Sequence, residues 1–209
     1  ENHPNSAKLH LLKINNGKEL VDCVCGAPNV RVGMRVAFAT EGGAVCGKPI
    51  TRATVAGYPS CGMCCSEAEL GISAENSGLM EITDDIPLGT DIKTVYDLED
   101  TVFEVDNKSL TNRPDLWGHY GIAREMATLA GRELRPVPVA DTACYAGLPE
   151  VPITIADENL CYRYTGIKVE NIQKNVSPVN LRIRLFYCGS RAINLLADLT
   201  NYVMLELGQ

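Results

Sequence analysis

Five cysteines have types and spacing that could do chemistry. They form a Cys23-x-Cys25 pair and a Cys61-x-x-Cys64-Cys65 group. Four thiolates can hold a tetrahedral zinc ion. The same residues lie in or beside predicted strands, where a free cysteine serves as a small apolar side chain. We expect no metal, and a zinc-dependent interaction domain stays open as an alternative.

A second candidate is a row of polar residues near the end of the chain. Arg191, Asn194, Asp198 and Asn201 are spaced i, i+3, i+7 and i+10, so a helix from Arg191 to about Val203 would place them on one face. Such a row could line a polar pocket. It could equally be a structural network, because buried polar groups need hydrogen-bond partners in any case.

Other familiar catalytic patterns are missing from the sequence. His3, His10 and His119 are scattered, and none has the spacing of a metal site or a triad. The glycines at 42, 43 and 47 lack the Lys-Ser/Thr ending of a phosphate-binding loop. These residues therefore give no candidate for a catalytic triad or a phosphate-binding loop.

The first part of the chain reads as short strands. Alternating apolar residues predict strands over 9–14, 20–25, 34–39 and 79–82, and Asn15-Asn16-Gly17 suits a hairpin turn between the first two. Short strands without a long helix between them favour a small barrel or sandwich. A capped helical turn is predicted at Ser66–Gly71, with Glu69 three residues after the serine.

The middle of the chain starts a new unit near residue 95. Residues 101–105 alternate as in a strand, and a helix is predicted from about Gly118 to Ala130, closed by Gly131. The proline-rich stretch 135–152 reads as a linker.

The last part of the chain is predicted to mix strands and helices. Strands are expected at 153–155 and 164–169. Ser177-Pro178 predicts a helix start, with serine as N-cap and proline at the first position, and Cys188-Gly189 predicts its end.

Composition limits the class of protein. The net charge is −7, distributed as −3 over residues 1–95, −5 over 96–150 and +1 over 151–209. A free-standing nucleic-acid binder normally has a basic face, so any RNA contact is expected to be local or assisted. An odd count of nine cysteines without an export signal favours a reducing cytoplasm. No apolar run reaches the roughly 18 residues of a membrane span.

Three groups of motifs resemble known families. One group is similar to the EMAP-type tRNA-binding domain, which is an OB fold: His3-Pro4-Asn5-Ser6-Ala7-Lys8-Leu9, Val24-Cys25-Gly26-Ala27-Pro28-Asn29-Val30, Gly62-Met63-Cys64-Cys65-Ser66-Glu67 and Glu69-Leu70-Gly71. The others resemble the bacterial phenylalanyl-tRNA synthetase beta subunit family: Leu110-Thr111-Asn112-Arg113-Pro114-Asp115 with Gly121-Ile122-Ala123-Arg124-Glu125, and Arg191-Ala192-Ile193-Asn194, Asp198 and 200–209.

The resemblance implies an α+β chain that is mainly β. It implies a Greek-key OB barrel over residues 1–95 with its first strand missing, a connecting α/β segment and linker over 96–150, and the truncated start of a mixed editing domain over 151–209. The chain would then be an internal fragment of a longer subunit.

The resemblance also implies a function for the parent protein. Two alpha and two beta subunits would join phenylalanine to its tRNA with ATP and magnesium in the cytoplasm. The aminoacylation site would lie in the alpha subunit, and the beta subunit would hydrolyse mischarged tyrosyl-tRNA. The histidine used for editing would lie outside this chain, so the chain by itself is expected to be inactive and to need no cofactor.

Site residues follow from the same resemblance. The editing-site neighbourhood would contain Arg191, as a phosphate or ribose contact, and Asn194, as a donor in the pocket wall, together with Asp198 and Asn201. The tRNA-binding candidates are basic: Lys8, Lys13, Arg31, Arg35, Lys48 and Arg52. A free-standing tRNA-binding OB module is the other alternative to a ligase part.

Overall fold

The computed structural model of the protein describes residues 1–208. Within them, short strand pairs and three α-helices are present, consistent with the α+β class. The strands are β1 (His10–Asn15), β2 (Leu20–Cys25), β3 (Phe38–Thr40), β4 (Ala44–Val45), β5 (Lys48–Pro49), β6 (Ala53–Val55), β7 (Tyr58–Ser60) and β8 (Gly62–Cys64). The helices are α1 (His119–Leu129), α2 (Val179–Tyr187) and α3 (Leu195–Leu207).

The predicted N-terminal hairpin is confirmed. β1 and β2 pair antiparallel, with His10 opposite Cys25 and Asn15 opposite Leu20. The Asn15 side chain accepts a hydrogen bond from the backbone N–H of Gly17 at 3.0 Å. Gly17 has φ +85°, a left-handed conformation that glycine adopts without steric cost.

The other strands also form antiparallel pairs: β3 with β8, β4 with β5, and β6 with β7. These pairs do not close into a barrel within residues 1–208. The strand predicted over 34–39 is shortened to β3, and the one over 79–82 is reduced to a single bridge between Val36 and Glu81. The alternating pattern predicted where apolar residues are buried. The length of each strand depends instead on how much neighbouring backbone is available to pair with it.

The predicted capped turn at residues 66–71 is present. The Ser66 hydroxyl accepts from the Glu69 N–H at 3.3 Å, and the Glu69 carboxylate accepts from the Ser66 N–H at 2.7 Å. This is the reciprocal capping-box arrangement. Gly71 follows with φ +72°, and the segment ends after this single turn without continuing as a helix.

Helix α1 confirms the helix predicted from Gly118 to Ala130. After its last residue, the Gly131 N–H donates to Thr128 O and the Arg132 N–H donates to Ala127 O. Gly131 has φ +62°, as expected for a glycine that ends a helix.

The predictions for the last two helices need correction. Pro178, and not Ser177, occupies the N-cap position of α2, and the Ser177 hydroxyl donates to Asp198 instead of capping the helix. The end of α2 is as predicted, with Gly189 at φ +75°. Helix α3 begins at Leu195, four residues later than predicted, because the side chain of Asn194 provides its N-cap.

Three predicted strands are wrong. Residues 101–105, 153–155 and 164–169 form no strand in the structure. Most of their apolar side chains are exposed, as shown by Phe103 at 69% and Tyr164 at 66%. Alternation gives a strand two faces, but the strand also needs a neighbouring backbone to pair with. No part of residues 1–208 provides that partner.

The chain divides into two compact units. The first, here called the strand unit, contains residues 1–108 and 176–202, and therefore all eight strands, α2 and the start of α3. The second, here called the connecting unit, contains residues 109–175 and the part of α3 from Val203 onward. The domain boundaries after residues 95 and 150 stay predictions.

Two groups of buried residues form the core of the strand unit. The larger, here called the main core, contains Ala37, Val45, Cys65, Ile72, Met80, Ile82, Tyr96, Val179 and Ile183. The smaller consists of Cys23, Cys25 and Cys64, covered by half-buried apolar residues that include Leu12 and Phe38. Because the chain has few aromatic residues, cysteine, isoleucine and methionine side chains fill much of the core.

Candidate functional site

The start of α3 brings two of the four predicted polar residues together. The Asn194 side chain accepts from the Ala197 N–H at 3.1 Å, and the Asn194 carbonyl accepts from the Asp198 N–H at 2.8 Å. The first bond satisfies a donor that the first turn of a helix leaves unpaired, and the second is the first backbone hydrogen bond of the helix itself. Asn194 is therefore the N-cap of α3.

Asp198 is the most buried polar residue of this region, with 1% of its surface exposed. Its carboxylate accepts from the Ile193 N–H at 2.7 Å and from the Ser177 hydroxyl. The two donors come from chain segments on either side of α2, so the carboxylate ties the loop before α3 to the start of α2. The Asp198 side chain therefore belongs to a structural hydrogen-bond network, which was one of the two interpretations of the polar row.

The predicted helical row does not form as a single face. Arg191 lies in the exposed loop before α3, while Asn201 lies half-buried one turn after Asp198. The pKa of Glu75 is lowered mainly by hydrogen bonds from Ser77 and further by the positive charge of Arg191. The Arg191 side chain of this loop therefore lies near the acidic Glu75. The row was predicted as continuous because the predicted helix began four residues too early.

Three of the six basic candidates form ion pairs within the strand unit. Lys13 pairs with Asp22 across the β1–β2 hairpin, and Arg31 pairs with Glu81. Arg35 pairs with Asp85 at 3.0 Å and also donates to the carbonyl oxygens of Asp84 and Ile86. These three cations therefore support the local fold.

The other three basic candidates are available to an external anion. Lys8, Lys48 and Arg52 are exposed, and in the described part of the chain their side chains form no ion pair. Lys48 lies on β5, and Arg52 follows it between β5 and β6. Sequence reasoning treated all six alike, because the acidic partners of Lys13, Arg31 and Arg35 are distant in sequence or on another strand.

The cysteines divide between the two cores of the strand unit. The sulfur atoms of Cys23 and Cys64 lie 3.9 Å apart, and Cys25 belongs to the same cluster. Cys65 is fully buried in the main core instead, where burial raises the pKa of its thiol to about 11. Cys61 is half-buried and belongs to neither cluster. The five thiols predicted as a possible metal group therefore separate into different environments.

Contacts among the three clustered thiols shift their pKa values in different directions. A hydrogen bond from the Cys64 thiol favours the ionised forms of Cys23 and Cys25 and so lowers the pKa of each. The same contacts, together with burial, raise the pKa of Cys64. Across the residues that the structure describes, no group of three or more His, Cys, Asp or Glu side chains is arranged to hold a metal ion.

Metal analysis of the purified protein checks the zinc alternative directly. We expect less than one-tenth of an equivalent of zinc per chain, because tetrahedral zinc needs a fourth ligand and its ligands about 2.0–2.3 Å from the metal. A protein prepared with added zinc and then dialysed serves as the control for loss during purification. One equivalent of zinc that is retained through dialysis and lost in a Cys23→Ser variant would restore the zinc-domain interpretation.

The connecting unit contains an ion-pair network before and along α1. Both oxygens of Asp115 accept from Arg113, at 2.9 Å each, and one also accepts from Arg124 at 3.0 Å. The Arg113 guanidinium holds the pKa of Asp115 at about 2. Arg113 also pairs with Glu125 at 3.1 Å. Four charged residues of the second motif group are thus engaged with one another.

The imidazole of His119, at the start of α1, donates through Nδ1 to the carbonyl oxygen of Leu205 at 2.7 Å.

Within residues 1–208, none of the helices is both long and apolar enough to span a membrane. Gln209, the final residue of the last motif, lies outside the described residues.

Comparison with family models places two domains on the chain. The tRNA_bind model, which describes a tRNA binding domain, matches residues 1–91. The B3/4 domain model matches residues 160–209. The two matches follow each other in the order that the motifs suggest.

Comparison with individual proteins covers the whole chain. The phenylalanine–tRNA ligase beta subunits of Dickeya dadantii and Geobacter sulfurreducens are 43% and 40% identical to it, in alignments of 211 positions that cover 99% of the chain. The beta subunit of Leptospira biflexa is 38% identical over 210 residues. In each case the chain spans 26% of the relative's length. The resemblance is thereby confirmed: along its whole length the chain is similar to about a quarter of the phenylalanine–tRNA ligase beta subunit.

Proposed function

We propose that this chain is the tRNA-contacting and editing-associated part of a phenylalanine–tRNA ligase beta subunit. The ordered match of a tRNA-binding model and a B3/4 model, on a chain about 40% identical throughout to such subunits, supports this proposal. A free-standing tRNA-binding module would account for residues 1–91 only, and it leaves the second match unexplained.

Under this proposal the first 95 residues form an OB-type domain. The antiparallel pairs β1–β2, β3–β8 and β6–β7 supply the short strands that such a domain uses. Exposed cations would contact the RNA backbone, because few aromatic residues are present for base stacking. Lys8, Lys48 and Arg52 are favoured over Lys13, Arg31 and Arg35, whose charges are already paired.

The B3/4 region would contribute to proofreading. Tyrosine differs from phenylalanine by one hydroxyl, and an apolar pocket rejects such an analogue by only about a hundredfold. A second site that hydrogen-bonds the hydroxyl adds selectivity, because a buried polar group without a partner costs about 1–3 kcal/mol. In this chain Asn194 and Asp198 would shape the wall of that region, while Arg191 and Asn201 would be available to the RNA.

The complete ligase would need more than this chain. We infer that a full beta subunit joins an alpha subunit in an assembly of two alpha and two beta chains, with ATP and magnesium bound for aminoacylation in the alpha subunit. The cytoplasm is the expected location, since the substrates of protein synthesis are there.

Binding of the chain to phenylalanine tRNA across a salt series tests the proposal. We expect log affinity to fall with log salt concentration with a slope of about −0.7 to −0.9 per phosphate contact. Lys48→Glu should weaken binding about tenfold at low salt and reduce the slope by about one contact. Lys13→Glu is the matched control, since Lys13 already pairs with Asp22.

Two outcomes would contradict this assignment. No detectable binding at low salt would make the chain a scaffold whose ligase contacts the tRNA elsewhere. Equal losses in Lys48→Glu and Lys13→Glu would mean that general charge, and not a local contact, governs binding. An unrelated tRNA run in parallel separates specific from non-specific affinity.

A further inference from the structure

Helix α2 contributes to the same hydrophobic core as the strands. Ile183 is 1% exposed and belongs to the main core together with Ile72, Met80 and Tyr96. Val179, one turn earlier on the same face, is buried in this core as well. Residues separated by about 100 positions in sequence therefore remove one another from water, which is the dominant favourable contribution to folding.

A shielded ion pair joins the same two segments. Arg182 of α2 contacts Glu67 of the capped turn, and their side chains are only 17% and 11% exposed. The Nε atom of Arg182 is buried without a hydrogen-bond partner among the described residues. Such a pair costs desolvation, and its geometry must be good for the contact to persist. The pair therefore favours a single position of α2 against the capped turn.

Further hydrogen bonds join α2 to residues 97 and 98 of the strand unit. The Tyr187 hydroxyl donates to the Leu98 carbonyl at 2.9 Å, and the Asp97 N–H donates to the Asn180 side chain at 3.0 Å. Arg184 pairs with Asp97 at 3.2 Å, but this pair is more than half exposed. The contacts combine an apolar centre with polar groups around it, as in an interface between parts that fold together.

We infer that α2 completes the core of the tRNA-binding region. Residues 37–98 and 176–190 then unfold and refold as one cooperative unit, and the Arg182–Glu67 pair fixes the position of α2 within it. This goes beyond the two family matches, which assign 1–91 and 160–209 to separate domains. One consequence is that residues 176–190, which lie inside the B3/4 match, are held against the tRNA-binding region within the strand unit. The inference does not depend on whether the chain binds tRNA.

Native-state hydrogen exchange on the full chain tests the shared core. The reporters are the Cys65, Met80 and Ile82 amides, which donate to the carbonyls of Ala37, Cys65 and Arg35, and the amides of α2. Ile183→Val removes one buried methylene and should raise the exchange rates of both groups by the same factor, about two- to tenfold. Ile193→Val is the matched control at an exposed site and should leave both groups unchanged.

The outcome that overturns the inference is also measurable. If α2 amides exchange faster in Ile183→Val while the amides at 65–82 keep their wild-type rates, the two segments open separately. The mild substitution is chosen so that the variant folds and the comparison can be made.

A double-mutant cycle tests the ion pair. We expect Arg182→Met and Glu67→Gln together to change the unfolding equilibrium constant at least tenfold less than the product of their separate effects. The matched cycle of Arg184→Met and Asp97→Asn, on the same helix but exposed, should show less than a threefold difference. Equal coupling in the two cycles would remove the role assigned to Arg182 and Glu67.

Discussion

Asp198→Ala is expected to destabilise the strand unit by about 2–4 kcal/mol, one of the two largest effects that we anticipate. The substitution removes a buried carboxylate and leaves the Ile193 N–H and the Ser177 hydroxyl without their acceptor. Each orphaned buried donor costs about 1–3 kcal/mol. Urea unfolding, followed by circular dichroism, measures the change in the free energy of unfolding.

Two further variants show whether the loss comes from the buried hydrogen bonds of Asp198. Ser177→Ala removes only one donor and should cost about 1 kcal/mol. Asn201→Ala changes a half-buried polar residue of the same helix and should cost less than Asp198→Ala. If Asp198→Ala unfolds at the same urea concentration as the wild type, the carboxylate does not hold α2 and the loop before α3 together, and a functional role for its charge gains support.

Gly121→Ala is expected to destabilise the connecting unit by about 3 kcal/mol or more. A Cβ atom at this position would lie 1.7 Å from the carbonyl oxygen of Asp115 and 3.3 Å from the Cα atom of Leu116. Because both contacts are backbone atoms, α1 or the turn at 114–116 must move to relieve the clash. In an ordinary helix, the same substitution stabilises by about 1 kcal/mol, so the sign is opposite to the helix propensity.

Hydrogen exchange within the connecting unit measures the effect of Gly121→Ala. Amide protection in α1 should fall, and the Arg124–Asp115 and Arg113–Glu125 ion pairs, which link α1 to the turn, should weaken as the turn moves away. Gly147→Ala is the matched control, since no heavy atom lies within 4 Å of its added Cβ. Protection in Gly121→Ala at or above that of the wild type would show that α1 does not pack closely against the turn.

The division of the polar candidates has a practical meaning for the proposed function. Asn194 and Asp198 hold the start of α3 in place, so under the proposed function their substitution in a complete beta subunit would change editing through the fold. Arg191 is exposed in the loop before α3, and its substitution should leave stability almost unchanged. If a change at Arg191 in a complete beta subunit lowered editing while stability stayed unaltered, the result would support a direct contact of Arg191 with the substrate.

Local chemistry made several elements predictable. The turn residues Asn15 and Gly17 specified the β1–β2 hairpin, because few residues suit its backbone conformation. Helical spacing and a closing glycine located α1 to within a residue or two. The capping box at Ser66 and Glu69 formed as predicted, since all of its donors and acceptors lie within four residues of each other.

Longer-range features could not be predicted in this way. The pattern at 101–105 has the alternation of a strand, yet pairing depends on a backbone that a local pattern does not contain. The same limit applies to the cations, because the partner of Arg31 is Glu81, fifty residues away. The start of α3 was misplaced because spacing alone cannot distinguish Asn194 within a helix from Asn194 as its cap.

The sequence by itself determined the β1–β2 turn, the capping box at Ser66 and Glu69, the helix α1, the order of the motifs and hence the similarity to the ligase beta subunit. Only the tertiary structure decided which cations stay unpaired, which cysteines meet, and that α2 shares a core with strands about 100 residues earlier. The physical reason is the range of the interactions. Backbone conformation and capping act over a few residues, whereas burial, ion pairing and strand pairing depend on segments that only folding brings together.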